Sequence, residues 1–164
     1  MNDYQQYIGD SETAHDVATA SQVGRMAATL DVDHPATREG DPVPPGWQGA
    51  FCPALFKISQ LGTSRLPIGG GVIPPVELPR RRLSGISTTY EDDILIGDRL
   101  TKITEVARIT TDQSETHPSV TVTMRETFST PRGTAVTEER GLVYVGKNGP
   151  ATRAAAPTIP KKAA

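Results

Sequence analysis

Apolar side chains recur at Val23, Met26, Ala27 and Leu30, the i, i+3, i+4, i+7 spacing that lines one face of an α-helix. Thr19 followed three residues later by Gln22 forms a capping box, which places the start of the helix there. Gly24 and Ala28 keep the helix narrow and allow close approach. It is predicted to end by Asp31, because Pro35 and the polar run 33–42 cannot continue it.

Downstream the hydrophobic period changes to two. Val120, Val122, Met124 and Phe128 share one face, and Thr121, Thr123, Arg125 and Thr127 share the other, which predicts a half-buried antiparallel strand over 119–129. Glu126 interrupts the apolar face, and nothing in the sequence accounts for it. Residues 83–90 (LSGISTTY) read as a strand, and 99–111 as a strand with both faces mixed and a bulge near Glu105. Ile96-Gly97-Asp98 and Pro131-Arg132-Gly133 read as turns, and 134–145 as the last strand. Its centre, Glu138-Glu139-Arg140, reads as too charged for a buried core position. Residues 1–16 carry no periodicity beyond a short edge segment at Tyr7-Ile8-Gly9. One helix followed by four strands predicts an α+β domain.

Between helix and strands lies the most distinctive stretch, 69–100, with glycines at 69–71, prolines at 74, 75 and 79, and arginines at 80–82. The prolines fix φ and cannot donate to a ladder, so 72–79 is predicted to be extended and non-helical. Residues 40–46 (GDPVPPG) form a turn-rich connector and 57–71 a loop. Trp47, Phe51, Leu55 and Phe56 cluster between them, as expected of a satellite hydrophobic cluster.

Composition narrows the function classes. With 164 residues the chain fits one domain plus tails and can bury a core. A net charge of −2 lacks the basic footprint of a nucleic-acid surface. No apolar run spans a membrane, and the N-terminus lacks the basic and apolar regions of a signal peptide. Cys52 is the single cysteine, which suits a reducing compartment, so a soluble cytoplasmic domain is expected. Residues 146–164, dominated by Ala, Pro and Lys, read as a disordered tail.

Several chemistries are excluded by spelling. GLVYVGKN at 141–148 comes near a phosphate-binding loop, but its middle is strand-forming and Asn148 stands where Ser or Thr would hold magnesium. Gly69-Gly70-Gly71 is no dinucleotide fingerprint, because Pro74 takes the third glycine's place. There is no nucleophile elbow, and His15, His34 and His117 are too scattered for a metal site.

Residues 73–85 (IPPVELPRRRLSG), IGDRL at 96–100 and AVTEERGLVYV at 135–145 resemble the N-terminal domain of MaoC-type dehydratases. That domain is the first half of double-hotdog acyl-CoA hydratases such as the mesaconyl-CoA hydratases. ATLD at 28–31 and GDPVPPGW at 40–47 extend the likeness, which runs from about Tyr7 to Val145. The resemblance implies a hotdog domain over 1–145, a curved antiparallel sheet wrapped around one long helix. It implies a hydro-lyase acting on an acyl-CoA thioester, with coenzyme A as part of the substrate, no separate cofactor and no metal. Acyl carrier protein is the alternative carrier.

Hydration of an enoyl thioester needs a base for water, an acid for the α-carbon and donors to the carbonyl. Catalytic members supply a D-x-N-P-x-H motif after the helix. Here Leu30-Asp31-Val32-Asp33-His34-Pro35 occupies that place; Asp31 and His34 are present, but the spacing fails and Asn is absent. The resemblance therefore implies the pocket half of a pair, completed by a MaoC-like catalytic hotdog subunit or by a second copy. The Pro/Ala-rich tail falls where the double-hotdog relatives carry a linker. Trp47 is expected on an acyl-pocket wall or subunit contact, and the backbone of Gly70 and Gly71 with Arg80 and Arg82 on one strand face at the coenzyme A nucleotide. The alternatives are a non-catalytic acyl-thioester-binding module and a thioesterase using Glu91, Asp92 or Asp93.

Overall fold

In the computed structural model, residues 3–33, 36, 38–61, 71–114 and 117–146 are described. His34, Gly69, Gly70 and the tail from 147 onward lie outside them. Five strands form one antiparallel sheet: β1 (Ser11–Val17), β2 (Arg80–Tyr90), β3 (Arg99–Asp112), β4 (Ser119–Thr130) and β5 (Gly133–Val145). Their spatial order is β1-β3-β4-β5-β2, so β1 and β2 are the two edges. Among the described residues the one α-helix, α1 (Ala20–Leu30), follows β1. The α+β expectation holds, with one strand more than the sequence pattern shows.

That strand, β1, lies where no period was legible. Only Ala14 and Asp16 of its sequence, SETAHDV, are partly covered, so its inward face offers almost no apolar signal. It is held by backbone pairing from Ser11↔Glu105 to Val17↔Arg99.

The helix begins as its capping box requires. Gln22 N–H donates to Thr19 Oγ1 at 3.3 Å and Thr19 N–H donates to Gln22 Oε1 at 3.0 Å. Val23 and Ala27 are buried, but Leu30 is 52% exposed, so the apolar stripe stops one turn short of the expected end. Asp31 closes the helix in the left-handed region at φ 53, a conformation that Asp tolerates better than most residues. Asp16 Oδ2 ties the elements together by accepting from Gln22 Nε2 at 3.0 Å and from Cys52 N–H at 2.8 Å.

The mixed pattern of β3 has a register cause. The ladder with β4 pairs Val106↔Met124 and then Arg108↔Thr123, leaving Ala107 as the extra residue of a bulge. Val106 and Ile109 therefore both face inward, although three residues apart, and both are buried.

A polar row crosses the inner face of the sheet. Register pairs Glu12 with Thr104, Thr104 with Glu126, Glu126 with Glu138, and Glu138 with Thr88. Directly opposed residues project to the same side, so one row runs through all five strands. On one side of it Leu100, Phe128 and Val136 pack with Val23 of the helix and Phe51. On the other, Val106, Ile109, Val120, Val122, Met124 and Tyr144 pack with Tyr4 and Val72. Two apolar clusters separated by a polar seam account for Glu126. They also overturn the reading of 138–140 as too charged for the interior: Glu138 is only 9% exposed.

The turn at 131–133 is clamped rather than free. Arg132 donates from Nη1 and Nη2 to the two carboxylate oxygens of Asp98 at 2.8 and 2.9 Å, from Nε to Asp92 at 3.1 Å, and from Nη2 to Asp93 O at 2.7 Å. This bidentate fork holds the β2–β3 turn against the β4–β5 turn.

Candidate functional site

A cavity of about 560 Å³ lies between the inner face of β3–β5 and the segment 71–77. The segment bridges the sheet because its prolines keep it extended. Val72 and Pro74 are buried, and Ile73 and Val76 half-buried, against the second apolar cluster. Met124, Leu142 and Tyr144 form the opposing wall, Phe56 closes one side, and Arg81 and Glu77 also line the cavity.

The cavity reaches the polar seam, where Lys102, Thr104, Glu126 and Arg140 form its floor. Glu126 accepts from Arg140 Nη2 through Oε2 and faces Lys102 Nζ through Oε1 at 3.9 Å. Arg140 Nη2 also meets Glu138 Oε1 at 3.1 Å. Glu138 Oε2 in turn accepts from Gln48 Nε2 at 2.9 Å and, at the long limit of 3.5 Å, from Thr88. Lys102 donates to Cys52 O at 2.9 Å and lies 5.9 Å from the centre of the Phe128 ring. Two carboxylates and two cations are thus paired off under low exposure, as buried charges require. Two polar atoms of the floor, Thr104 Oγ1 and Arg140 Nε, are buried and find no hydrogen-bond partner among the described residues.

Gly71 sits at the cavity wall with φ +66, and a Cβ there would come 3.0 Å from Glu12 Oε2. The left-handed backbone favours glycine at this position, and Glu12 is the side chain that an added Cβ would meet.

The structure disperses the residues named from sequence. Gly71 lines the cavity, whereas Gly70 lies outside the described residues. Trp47 packs half-buried against the helix-side cluster, away from the cavity, and the aromatics that line the cavity are Phe56 and Tyr144. Of the three arginines Arg81 lines the cavity, and strand alternation places Arg80 and Arg82 on the opposite face of β2. Asp31 caps the helix, exposed and off the cavity, and its suggested companion His34 lies outside the described residues. Glu91 accepts from Thr137 at 3.1 Å and Asp92 is held by Arg132, so neither carboxylate meets the cavity. Lys102, Thr104 and Arg140 were missed. Their only trace in the sequence was charge inside otherwise apolar strands, at Glu126 and at 138–140.

No family model matches the chain. It is 28% identical over 142 residues to mesaconyl-C(4)-CoA hydratase of Chloroflexus aurantiacus, covering 87% of this chain and 51% of that protein. The chain therefore spans about half the length of the curated relative it matches. Among solved structures it is similar to a MaoC-like dehydratase from Rhodospirillum rubrum, with 19% identity over 85% of this chain and 93% of that one and a TM-score of 0.53. A chain of the ChsH1-ChsH2 complex from Mycobacterium tuberculosis matches at 11% identity, 82% of each chain and TM-score 0.57. The C-terminally truncated HadBC (3R-hydroxyacyl-ACP dehydratase) complex from the same organism matches at 12% identity, 84% of this chain, 96% of that one and TM-score 0.55. At these identities the structures establish the fold, which is the hotdog arrangement of MaoC-like dehydratases.

Proposed function

We propose that this chain, which resembles MaoC-type dehydratases in sequence and in fold, is the acyl-pocket half of a hydratase or dehydratase acting on acyl-CoA thioesters. The observation that carries the reading is the cavity between the sheet and 71–77, apolar on its walls and large enough for an acyl chain. A second hotdog, a MaoC-like subunit or a second copy, completes the site and supplies the acid and base. What supports this division is the altered spacing of Asp31 and His34 and the position of Asp31 away from the cavity.

The partner's place is suggested by β2. This edge strand is eleven residues long, with Leu83 and Ile86 each 55% exposed and Tyr90 47% exposed. An edge strand of this length left open is a template for pairing with another strand. Arg80 and Arg82 lie at the start of the same edge and are assigned to the coenzyme A phosphates, with Arg81 turned toward the acyl cavity.

The test is crotonyl-CoA hydration by the purified chain, alone and mixed with a MaoC-like catalytic subunit. Turnover only in the mixture supports the assignment, and turnover by the chain alone overturns the division of labour. Thioester binding without turnover in either case would make the chain a binding module.

A further inference from the structure

A second hollow, about 770 Å³ and open to solvent, shares none of its lining residues with the acyl cavity. It lies where the end of β1, the first turns of α1 and the start of β3 meet. Arg25, Arg99 and His15 line it, all three exposed. Neither guanidinium makes a hydrogen bond or ion pair with any described residue. Two cations that share a hollow without a counter-charge raise the positive potential there, and an anion entering from solvent meets that potential.

The other polar groups of the hollow are already spent. Among the described residues its one carboxylate is Asp16, which accepts from Val17 N–H at 2.8 Å, Gln22 Nε2 at 3.0 Å and Cys52 N–H at 2.8 Å. Its lone pairs are taken by neutral donors, so it does not bind the arginines in place of a ligand. Thr19 and Gln22 are consumed by the capping box, and the first turn of the helix is satisfied without a bound anion. The anion capacity therefore comes from the side chains and not from the helix terminus.

His15 adds a third donor. Its Nδ1 lies 3.2 Å from Thr101 Oγ1 in a hydrogen bond, and Nε2 has no partner among the described residues. In the tautomer in which Thr101 donates to Nδ1, Nε2 carries the proton and is left to donate into the hollow.

We propose that this hollow binds a phosphate monoester, gripped by Arg25 and Arg99 with His15 as the third donor. Two guanidinium forks and an imidazole offer more donors than the two oxygens of one carboxylate can take up. A phosphate monoester brings three terminal oxygens and close to two charges, and guanidinium–phosphate pairs are bidentate and charge-assisted. The site lies apart from the acyl cavity and does not depend on the acyl-thioester reading.

The test follows the Arg25 and Arg99 Nε–H resonances of the full chain during titration with inorganic phosphate, glucose 6-phosphate, adenosine 3′,5′-bisphosphate and acetate. Both resonances are expected to move together and saturate with each phosphate compound, while Arg108, an exposed arginine of β3 outside the hollow, stays still. Acetate should need about tenfold more to reach the same shift, the worth of one charge-assisted hydrogen bond. Arg25→Gln/Arg99→Gln should weaken glucose 6-phosphate binding about tenfold or more and leave the melting temperature unchanged.

The bisphosphate and the sugar phosphate separate two sources of the same chemistry. Much tighter binding of the bisphosphate assigns the hollow to the nucleotide end of coenzyme A, and equal binding assigns it to a free phosphorylated metabolite; either upholds the site. Resonances of Arg25 and Arg99 that do not move overturn it. So does acetate binding as tightly as phosphate, or an Arg108→Gln change that weakens binding as much as the double variant, which would reduce the effect to diffuse surface charge.

Discussion

Gln48 donates from Nε2 to Glu138 Oε2 across 2.9 Å, joining a short turn after the 40–46 connector to the central charge of β5 ninety residues later. Both groups are buried, so neither water nor a surface neighbour can replace the bond. Replacing Gln48 by Met keeps the volume and removes the donor. The variant should lose about 1.5–3 kcal/mol in urea unfolding, the range for a hydrogen bond to a charged group. An unchanged midpoint would show that Thr88 and Arg140 suffice for Glu138.

Acid sensitivity should trace to Asp98. Burial pushes its carboxyl up, but hydrogen bonds from Arg132 and from Leu95 N–H, with the Arg132 charge, outweigh burial and hold it below the ordinary aspartate range. A carboxylate with a depressed folded pKa contributes stability that is present above its unfolded value and lost as pH falls through the folded one. Asp98→Asn should therefore be less stable than wild type at neutral pH, and the two should converge below about pH 4, the ordinary Asp value. Parallel unfolding curves at pH 7 and pH 3 measure this, and a gap of equal size at both would refute it.

Gly71→Ala tests the cavity wall. The φ of +66 costs a residue with a Cβ about 1–2 kcal/mol, whereas the exposed Glu12 side chain can swing away from the added methyl. A loss of that size in denaturant unfolding, not relieved by pairing the change with Glu12→Ala, would locate the cost in the backbone.

Cys52 should be inert in the native protein. Burial raises its thiol pKa and the Asp16 charge adds to the rise, outweighing the opposing influence of Lys102. Because the thiolate is the reactive form, iodoacetamide at pH 8 is expected to modify Cys52 only after unfolding, as followed by intact mass. Rapid native-state alkylation would contradict the burial seen here.

Coenzyme A recognition should depend on the outward arginines. The double change Arg80→Ala/Arg82→Ala is expected to weaken coenzyme A binding about tenfold or more, since guanidinium–phosphate contacts are charge-assisted. Unaltered affinity would remove these residues from the site.

Local pattern was legible wherever a residue's neighbours in the chain are also its neighbours in space. The capping box of Thr19 and Gln22, the buried pair Val23 and Ala27, and the period-two face Val120, Val122, Met124, Phe128 were all readable, because helix and strand periods are set by backbone geometry. The bulge near Glu105 was legible as mixed faces. β1 was not, because an edge strand with few inward apolar residues is specified by the ladder it joins. The seam of Glu12, Thr104, Glu126, Glu138 and Thr88 draws one residue from each of five strands. In the sequence each was an isolated anomaly or nothing at all. Only strand order and register place them side by side, and only that proximity lets Lys102 and Arg140 neutralise carboxylates that no apolar interior would otherwise hold.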